Sequence, residues 1–470
     1  MKRRTFIAQT AALPLIALPA HRALAEQGYR VEAKEEPGAA YQSYLARTVD
    51  LLSGFDTRNA DPQKNAFGGW QAGNPFARTG RFHTTKANGR WWLVDPTGNP
   101  FIHVAPAALF TGPSKRSQSA LKQKYGSLAN WAEQTIQMLQ DAGFNGGGGW
   151  TSINEIKAAR RRFTYCAYIE PMQKFREYLK QQGDFRGKAG WQGYPNDIVR
   201  VFDPRFDRFV ESEARKLIPY ARDPYMIGYF TDNELPWKND ALDRFLTLLP
   251  AGDPGHIAAQ RWLDARKGRK STTADIGDSD RRDFLGYYIR TYLEKVTRAT
   301  RRYAPDRLYL GCRFNQHREE LASEAIFREA GKYMDIISIN HYHKWQPEAV
   351  QMRDWERWAG KPFMITEFYV KGEDTGMANT SGAGWIVKSQ AERGYFYQNF
   401  IMELLKSRAC VGWHWLAYQD NDPEGQSDES NRDANKGLVT WDYRPYQAAL
   451  EQMKSANRQI YRLIEYFDRG

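Results

Sequence analysis

The sequence predicts an α/β fold, a (β/α)8 TIM barrel with a small N-terminal β-rich extension, and three observations predict it. From about residue 101 onward, short apolar strand-like runs alternate with longer amphipathic stretches, the pattern of a parallel sheet whose strands are joined by crossover helices. Eight such runs occur, at 101–105, 143–146, 163–169, 226–231, 308–312, 336–340, 363–366 and 410–415, and eight units argue for closure into a barrel. Two of these runs lead within three residues to a glutamate, Glu234 and Glu367, and the C-terminal tips of its strands are where a barrel places its chemistry. A doubly wound open sheet is the competing architecture. Against it, no Gly-x-Gly-x-x-Gly follows the first strand, and Gly146, Gly147, Gly148 and Gly149 form a run in the wrong context for a dinucleotide.

Taken in order, the chain opens on Met1, Lys2, Arg3, Arg4, Thr5 and Phe6, passes through an apolar stretch at 11–20, and reaches Ala23, Leu24 and Ala25. A basic start, a short apolar middle and a small-x-small end predict a cleavable export signal over residues 1–25, and the paired arginines point to the twin-arginine route. The expected destination is the periplasm or the exterior. Pro14 and Pro19 interrupt the apolar stretch, which is too short for a bilayer, and nothing later is apolar enough, so no stable membrane span is expected. Residues 26–100 are rich in Gly, Pro, Trp and Phe. Alternation from Arg90 to Val94 broken by Asp95, Pro96, Thr97 and Gly98 is a hairpin signature, so this segment reads as a β-rich extension on the main domain or as a short carbohydrate-binding element.

Residues 101–470 then form the catalytic barrel. Its helical stretches, apolar at spacings of three and four, are clearest at 118–142, 205–222, 281–303, 317–332, 385–406 and 444–466. Insertions at 238–280, 371–384 and 418–436 follow the fourth, seventh and eighth strands and leave the same face of the barrel, where substrate selection would be built.

Lys and Arg number 67 against 55 Asp and Glu, a formal net charge of +12. A basic exported protein suits an anionic partner such as a sulfated or uronic polysaccharide. The basic residues are, however, scattered over amphipathic helices, and no aromatic-interleaved groove for nucleic acid is present. Cys166, Cys312 and Cys410 are odd in number, each inside a predicted core strand, and read as buried reduced thiols rather than a disulfide framework. The sequence carries no signal for oligomeric state.

Glycoside hydrolysis needs one carboxyl kept protonated to donate to the leaving oxygen and one kept ionised to attack or to activate water. Glu234, preceded by Asn233, and Glu367 meet the type requirement at the ends of the fourth and seventh strands. His341, Tyr342 and His343 follow the sixth strand; His-x-His is also a metal-pair spacing, but two carboxylates need no metal and no second ligand cluster is present, so neither metal nor cofactor is expected. Arg313 follows the fifth strand, as a group that positions Glu234 or a substrate oxygen, or as a structural ion pair. Trp150, Trp237, Trp385, Trp413 and Trp415 are candidate sugar platforms, although with 15 tryptophans several must be core. Trp413 and Trp415 share strand parity, with His414 facing the other side.

This arrangement resembles clan A of the glycoside hydrolases, whose members end the fourth strand on Asn-Glu and the seventh on Glu. The resemblance narrows to the β-agarases of glycoside hydrolase family 50. It rests on Gly143-Phe144-Asn145 with Gly149-Trp150, Tyr229 to Glu234, Leu310 to Phe314, Ile365 to Phe368, and Val411 to Trp415 ahead of Tyr418-Gln419-Asp420. It runs from about residue 80 to 450. It implies a retaining enzyme in which Glu234 is the acid/base, Glu367 the nucleophile, Asn233 a partner of the sugar 2-hydroxyl, and Tyr342 a donor that keeps Glu367 ionised. Asn145 and Trp150 fall in the same motifs, His341 stands beside Tyr342 after the sixth strand, and a tryptophan ending the eighth strand, Trp415 before Trp413, is a stacking residue in the clan. The loop after the seventh strand, Lys371 through Trp385, departs from a typical agarase and bears on which galactan is cut. The expected substrate is a β-linked, agarose-like polysaccharide or oligosaccharide. A retaining enzyme on another β-glycan, a non-catalytic glycan-binding barrel and a metal-dependent barrel hydrolase are the alternatives.

Overall fold

The computed structural model describes residues 27–58, 63–71, 76–184, 187–315, 319–425 and 428–469, and the expected export signal lies outside them. The first strands are β1 (Tyr29–Lys34) and β2 (Gln42–Ala46), an antiparallel pair, followed by the antiparallel β3 (His83–Ala87), β4 (Arg90–Val94) and β5 (Pro100–Phe101). The predicted hairpin is therefore present. Its turn is made by the Asp95 carboxylate, which accepts from the backbone N–H groups of Thr97 and Asn99, the local side-chain bonding that favours Asp in turns.

The barrel strands follow: β6 (His103–Ala107), β7 (Gly146–Gly147), β8 (Thr164–Ile169), β9 (Met226–Thr231), β10 (Leu308–Gly311) continued by β11 (Phe314–Asn315), β12 (Ile337–Asn340), β13 (Phe363–Glu367) and, after β14 (Val370–Gly372) and β15 (Trp385–Val387), β16 (Cys410–Leu416). All eight barrel positions coincide with the predicted runs to within a few residues. Pairing is parallel throughout, in two arcs, β7 to β10 and β11-β12-β13-β16-β6. The arcs close on each other because Asn145 and Gly148 donate backbone N–H groups to Val104 and Pro106, and Asp335 donates to Tyr309. The break between β10 and β11 has a cause. Gly311 sits at φ 85 with Met334 packed where a side chain would stand, so only glycine lets the strand turn there.

The two parts of the N-terminal segment cover different ends of the barrel. At the N-terminal ends of the strands, Phe82, Leu93 and Phe101 form one apolar cluster with Ile227, Leu308, Leu310, Ile336, Met364 and Val411, closing the barrel floor. At the other end, β1 pairs with β15, so that β14, β15, β1 and β2 make one small sheet after the seventh barrel strand. Trp385 therefore begins a strand rather than the predicted helix over 385–406. That helix starts only at Gln390, where the Ser389 hydroxyl accepts from Glu392 N–H and the Glu392 carboxylate accepts from Ser389 N–H, the reciprocal cap that fixes a helix start. The insertion at 238–280 folds as the helices Ala241–Leu248 and Pro254–Lys267. No helix among the described residues is long and apolar enough to cross a membrane.

Candidate active site

Six non-glycine residues at the C-terminal ends of the strands hold left-handed backbone: Ala108 (φ 52), Trp150 (φ 58), Asp232 (φ 55), Glu234 (φ 50), Arg313 (φ 55) and His343 (φ 59). Such conformations cost about 1–3 kcal/mol each and persist only where the surroundings enforce them. At β9 the enforcement is visible. The buried Asp232 carboxylate accepts from Met172 and Gln173 N–H and from the Tyr292 hydroxyl, capping the helix Pro171–Gln181. Burial outweighs those three donors, which favour the charged form, and leaves this carboxyl raised to about 7. Glu234 N–H in turn donates to the Cys312 carbonyl at 3.2 Å. The turn Asp232-Asn233-Glu234 is thereby anchored on both sides, and Glu234 is directed into the barrel mouth.

Glu367, the last residue of β13, lies across from it and is buried. Its Oε1 is 2.7 Å from the Arg313 guanidinium, and its Oε2 accepts from the Tyr342 hydroxyl at 2.5 Å. Burial pushes its carboxyl up to about 7. The Arg313 charge acts against that rise, Glu234 adds to it by repulsion, and the tyrosine hydroxyl lowers it again. Arg313, fully buried, also donates to the Thr366 carbonyl at 3.0 Å and to Asn233 Oδ1 at 3.1 Å, and its guanidinium lies 4.1 Å from the Trp150 ring. The sequence left Arg313 either beside Glu234 or a substrate oxygen, or in a structural ion pair; it makes an ion pair, and the partner is Glu367.

Two residues at this site were missed in the sequence. Asn340, ending β12, donates to Glu234 Oε1 at 2.8 Å and to Asn233 Oδ1 at 3.2 Å. Gln192, at φ 52 in the stretch between two helices, donates to Glu234 Oε2 at 3.1 Å. Both glutamates are consequently tied to the same amide oxygen, Glu367 through Arg313 and Glu234 through Asn340. With Oδ1 of Asn233 taken by two donors, its NH2 group is the part left to face a ligand.

Several predicted residues are not brought to the carboxylates. Trp413 and Trp415 are fully buried. Trp413 donates to the Tyr397 hydroxyl at 2.8 Å and Trp415 to the Lys436 carbonyl at 2.8 Å, and the Trp415 ring packs on Phe368 and Tyr397. Their shared parity is as expected, but the face they share is the helix side of β16. His341 also points outward, between Trp355 and Phe400, with neither ring nitrogen partnered among the described residues; burial lowers it to about 3. Trp385 packs on Tyr44 and Trp345 beneath the N-terminal hairpin, and Trp237 packs on Tyr288 and Tyr292. Asn145 precedes β7 at the opposite end of the barrel, where it bridges Val104 N–H and the Ile102 carbonyl.

His414 faces inward, as its parity requires, and its Nε2 meets His103 Nδ1 at 2.9 Å with Cys166 close by. The two imidazoles account for two glycines of the run, because a Cβ on Gly146 would collide with His103 and one on Gly148 with His414. An ion held at the facing atoms would require protons on His103 Nε2 and His414 Nδ1, which have no acceptor among the described residues, so the trio lacks, among those residues, the outer partners that orient ligating histidines. All three cysteines are buried and free.

A closed parallel barrel with two buried strand-end glutamates, each with its own hydrogen-bond partners, defines the class: a barrel of the glycoside hydrolase type. Among solved structures, BpGH50 shares 31% identity with this chain at a TM-score of 0.81, over 94% of this chain and 96% of that one. The chain therefore belongs to glycoside hydrolase family 50. An agarase, AgWH50C, is 21% identical at a TM-score of 0.69, covering 87% of this chain and 68% of that one. A structure titled as an exo-β-agarase is 23% identical at 0.71, covering 86% and 68%. Among curated proteins, β-agarase B of Vibrio sp. (strain JT0107) is 24% identical over 94% of this chain and 55% of its own length. β-Agarase A of the same organism is 23% identical over 92% and 50%. The chain thus spans about half the length of the curated relatives it matches. No family model matches the chain.

Proposed function

We propose that this chain is an exported, retaining glycoside hydrolase that cleaves a β-linked, agarose-like galactan by double displacement. One carboxylate oxygen of Glu367 attacks the anomeric carbon as the glycosidic oxygen leaves with a proton from Glu234. Glu234, now ionised, takes a proton from water, whose oxygen displaces Glu367 and restores both groups. Asn233 NH2 donates to the sugar hydroxyl beside the anomeric carbon, and Trp150, over the Arg313 guanidinium, stands beside the sugar. The observation that carries this reading is the different support of the two acids. Glu367 is held by a cation and a phenol that favour its ionised form, whereas Glu234 is held by two neutral amides. The galactan follows from the agarase relatives. Residues 26–100 serve as the extension and 101–470 as the catalytic barrel, with residues 1–25 removed on export to the periplasm or beyond. No cofactor enters this mechanism.

The test is product analysis of residues 26–470 against agarose, porphyran, carrageenans and unrelated β-glucans, with proton NMR of the first anomer formed. Neoagaro-type products with β configuration retained are expected. Inversion would refute the mechanism. Retention on a different glycan would keep the mechanism and move the substrate, an outcome to which the divergent loop is relevant. There the buried Lys371 ammonium bonds the carbonyls of Ser381 and Gly382, and the Asp433 carboxylate accepts from Thr380 and Ser381 N–H.

A further inference from the structure

At the end of the barrel opposite the two glutamates lies a second cavity, of about 290 Å³, formed where residues 64–68 and the final helix meet the starts of β6 and β7. Its polar side chains include Lys64, Arg162 and Arg458, and no acidic residue lines it. The Arg458 guanidinium donates to the Asp141 carbonyl at 3.1 Å. Neither Arg162 nor Arg458 makes an ion pair with a carboxylate among the described residues, and both are exposed. The remaining wall is mixed: the amides Asn65, Gln140 and Asn145, with apolar and aromatic side chains that include Phe67 and the buried Phe144 and Tyr461. Tyr461 is fixed by its hydroxyl, which donates to the Gly68 carbonyl at 2.8 Å, and by stacking on Trp70.

We infer that this cavity is a non-catalytic binding site for an anionic pyranose, a sulfated or uronic sugar unit of a polysaccharide. Each part of the cavity answers one part of such a ligand. Guanidinium groups present paired donors that match the oxygens of a sulfate ester or a carboxylate. The half-buried Phe67 offers apolar surface to the CH-rich side of a sugar ring, and the volume is at the lower end of the range for small-ligand sites. A neutral or cationic ligand would leave the cationic charge uncompensated. The catalytic mouth opens at the other end of the strands, so a chain held here leaves the carboxylates free, and tethering raises the local concentration of polymer around them. The site requires neither glutamate and stands apart from the proposed hydrolysis.

The experiment is affinity electrophoresis of the full mature chain carrying Glu367→Gln, so that no polymer is consumed, in gels containing carrageenan, polygalacturonate or neutral agarose at about 0.15 M salt, where long-range charge effects are screened. A second protein adds Arg162→Gln and Arg458→Gln. A third, charge-matched, adds Arg282→Gln and Arg298→Gln, both exposed on the helix Asp278–Tyr303. Retardation by at least one anionic polymer is expected, weakened about tenfold or more in the Arg162/Arg458 variant, the scale of losing bonds to a charged group, and unchanged in the Arg282/Arg298 variant. Retardation by carrageenan alone identifies a sulfate ester, and retardation by both anionic polymers a site that also takes carboxylates. The inference is overturned by no retardation in either anionic gel, by an Arg162/Arg458 variant that migrates like its parent, or by equal weakening of both double variants, which would be a general charge effect.

Discussion

Replacing Tyr342 by phenylalanine deletes one hydroxyl and leaves the ring, so it isolates the hydrogen bond to Glu367. That bond is 2.5 Å long and ends on a carboxylate which burial pushes up to about 7, against the pull of Arg313 and of the tyrosine itself. A hydrogen bond to the ionised form favours that form, so its loss raises the carboxyl further. A bond to a charged group is worth about 1.5–3 kcal/mol, and roughly 1.4 kcal/mol corresponds to one pKa unit. The acidic limb of kcat/KM, which reports the free enzyme, should therefore move from about 7 to about 8 or 9. Glu367 must be ionised to attack, so activity is present above its pKa and lost below it. At pH 6 the variant should lose roughly tenfold to a hundredfold in kcat/KM, and by pH 9.5 the gap should narrow. The assay is a pH series from 5 to 9.5 on a soluble oligosaccharide substrate, with circular dichroism to confirm folding. A uniform loss with the limb unmoved would refute the reasoning, because it would mean that the hydroxyl serves something other than the charge state of Glu367.

Other substitutions probe separate supports of the site. Asn340→Ala removes the amide shared by Glu234 and Asn233 and should lower kcat about tenfold or more, the scale of one hydrogen bond to a charged group, with circular dichroism to confirm folding; unchanged kcat would exclude Asn340 from the site. Asp232→Ala removes the cap of the helix Pro171–Gln181 and leaves the Tyr292 hydroxyl without its carboxylate partner. It should destabilise the fold by roughly 2–4 kcal/mol, read from the urea midpoint. Trp415→Phe should cost stability through lost packing and the lost bond to Lys436 while leaving KM unchanged, whereas a raised KM would restore Trp415 as a sugar platform.

The barrel was legible because its signal is local and repeated. Each buried strand is short, apolar and followed by an amphipathic helix, and β9 falls on the predicted residues 226–231. The strand-end rule that singled out Glu234 and Glu367 applies equally to Asn340, which closes β12; the residue was passed over in favour of His341 and Tyr342, which follow it. Parity placed Trp413 and Trp415 on one side of β16 and His414 on the other, but alternation does not say which side is the lumen. Gly146 and Gly148, packed against His103 and His414, carry that information only once the strands are side by side. Asn145 was misjudged by direction, since Gly143-Phe144-Asn145 leads into a strand rather than out of one. Gln192 has no signal in the sequence, because nothing local marks a loop residue that reaches an acid 42 positions away. Pairing of β1 with β15 joins segments more than 350 residues apart, a contact no periodicity announces.

The central claim, that Glu367 becomes covalently glycosylated during turnover, is tested most directly by trapping it. A substrate analogue carrying fluorine in place of the sugar 2-hydroxyl and a good leaving group disfavours the oxocarbenium-like transition states, slowing breakdown of the intermediate more than its formation. Mass spectrometry of the digested protein should place a single glycosyl adduct on the peptide containing Glu367, and the adduct should be absent from Glu367→Gln. An adduct on another carboxylate, or time-dependent turnover of the analogue with no adduct at any stage, would contradict the account.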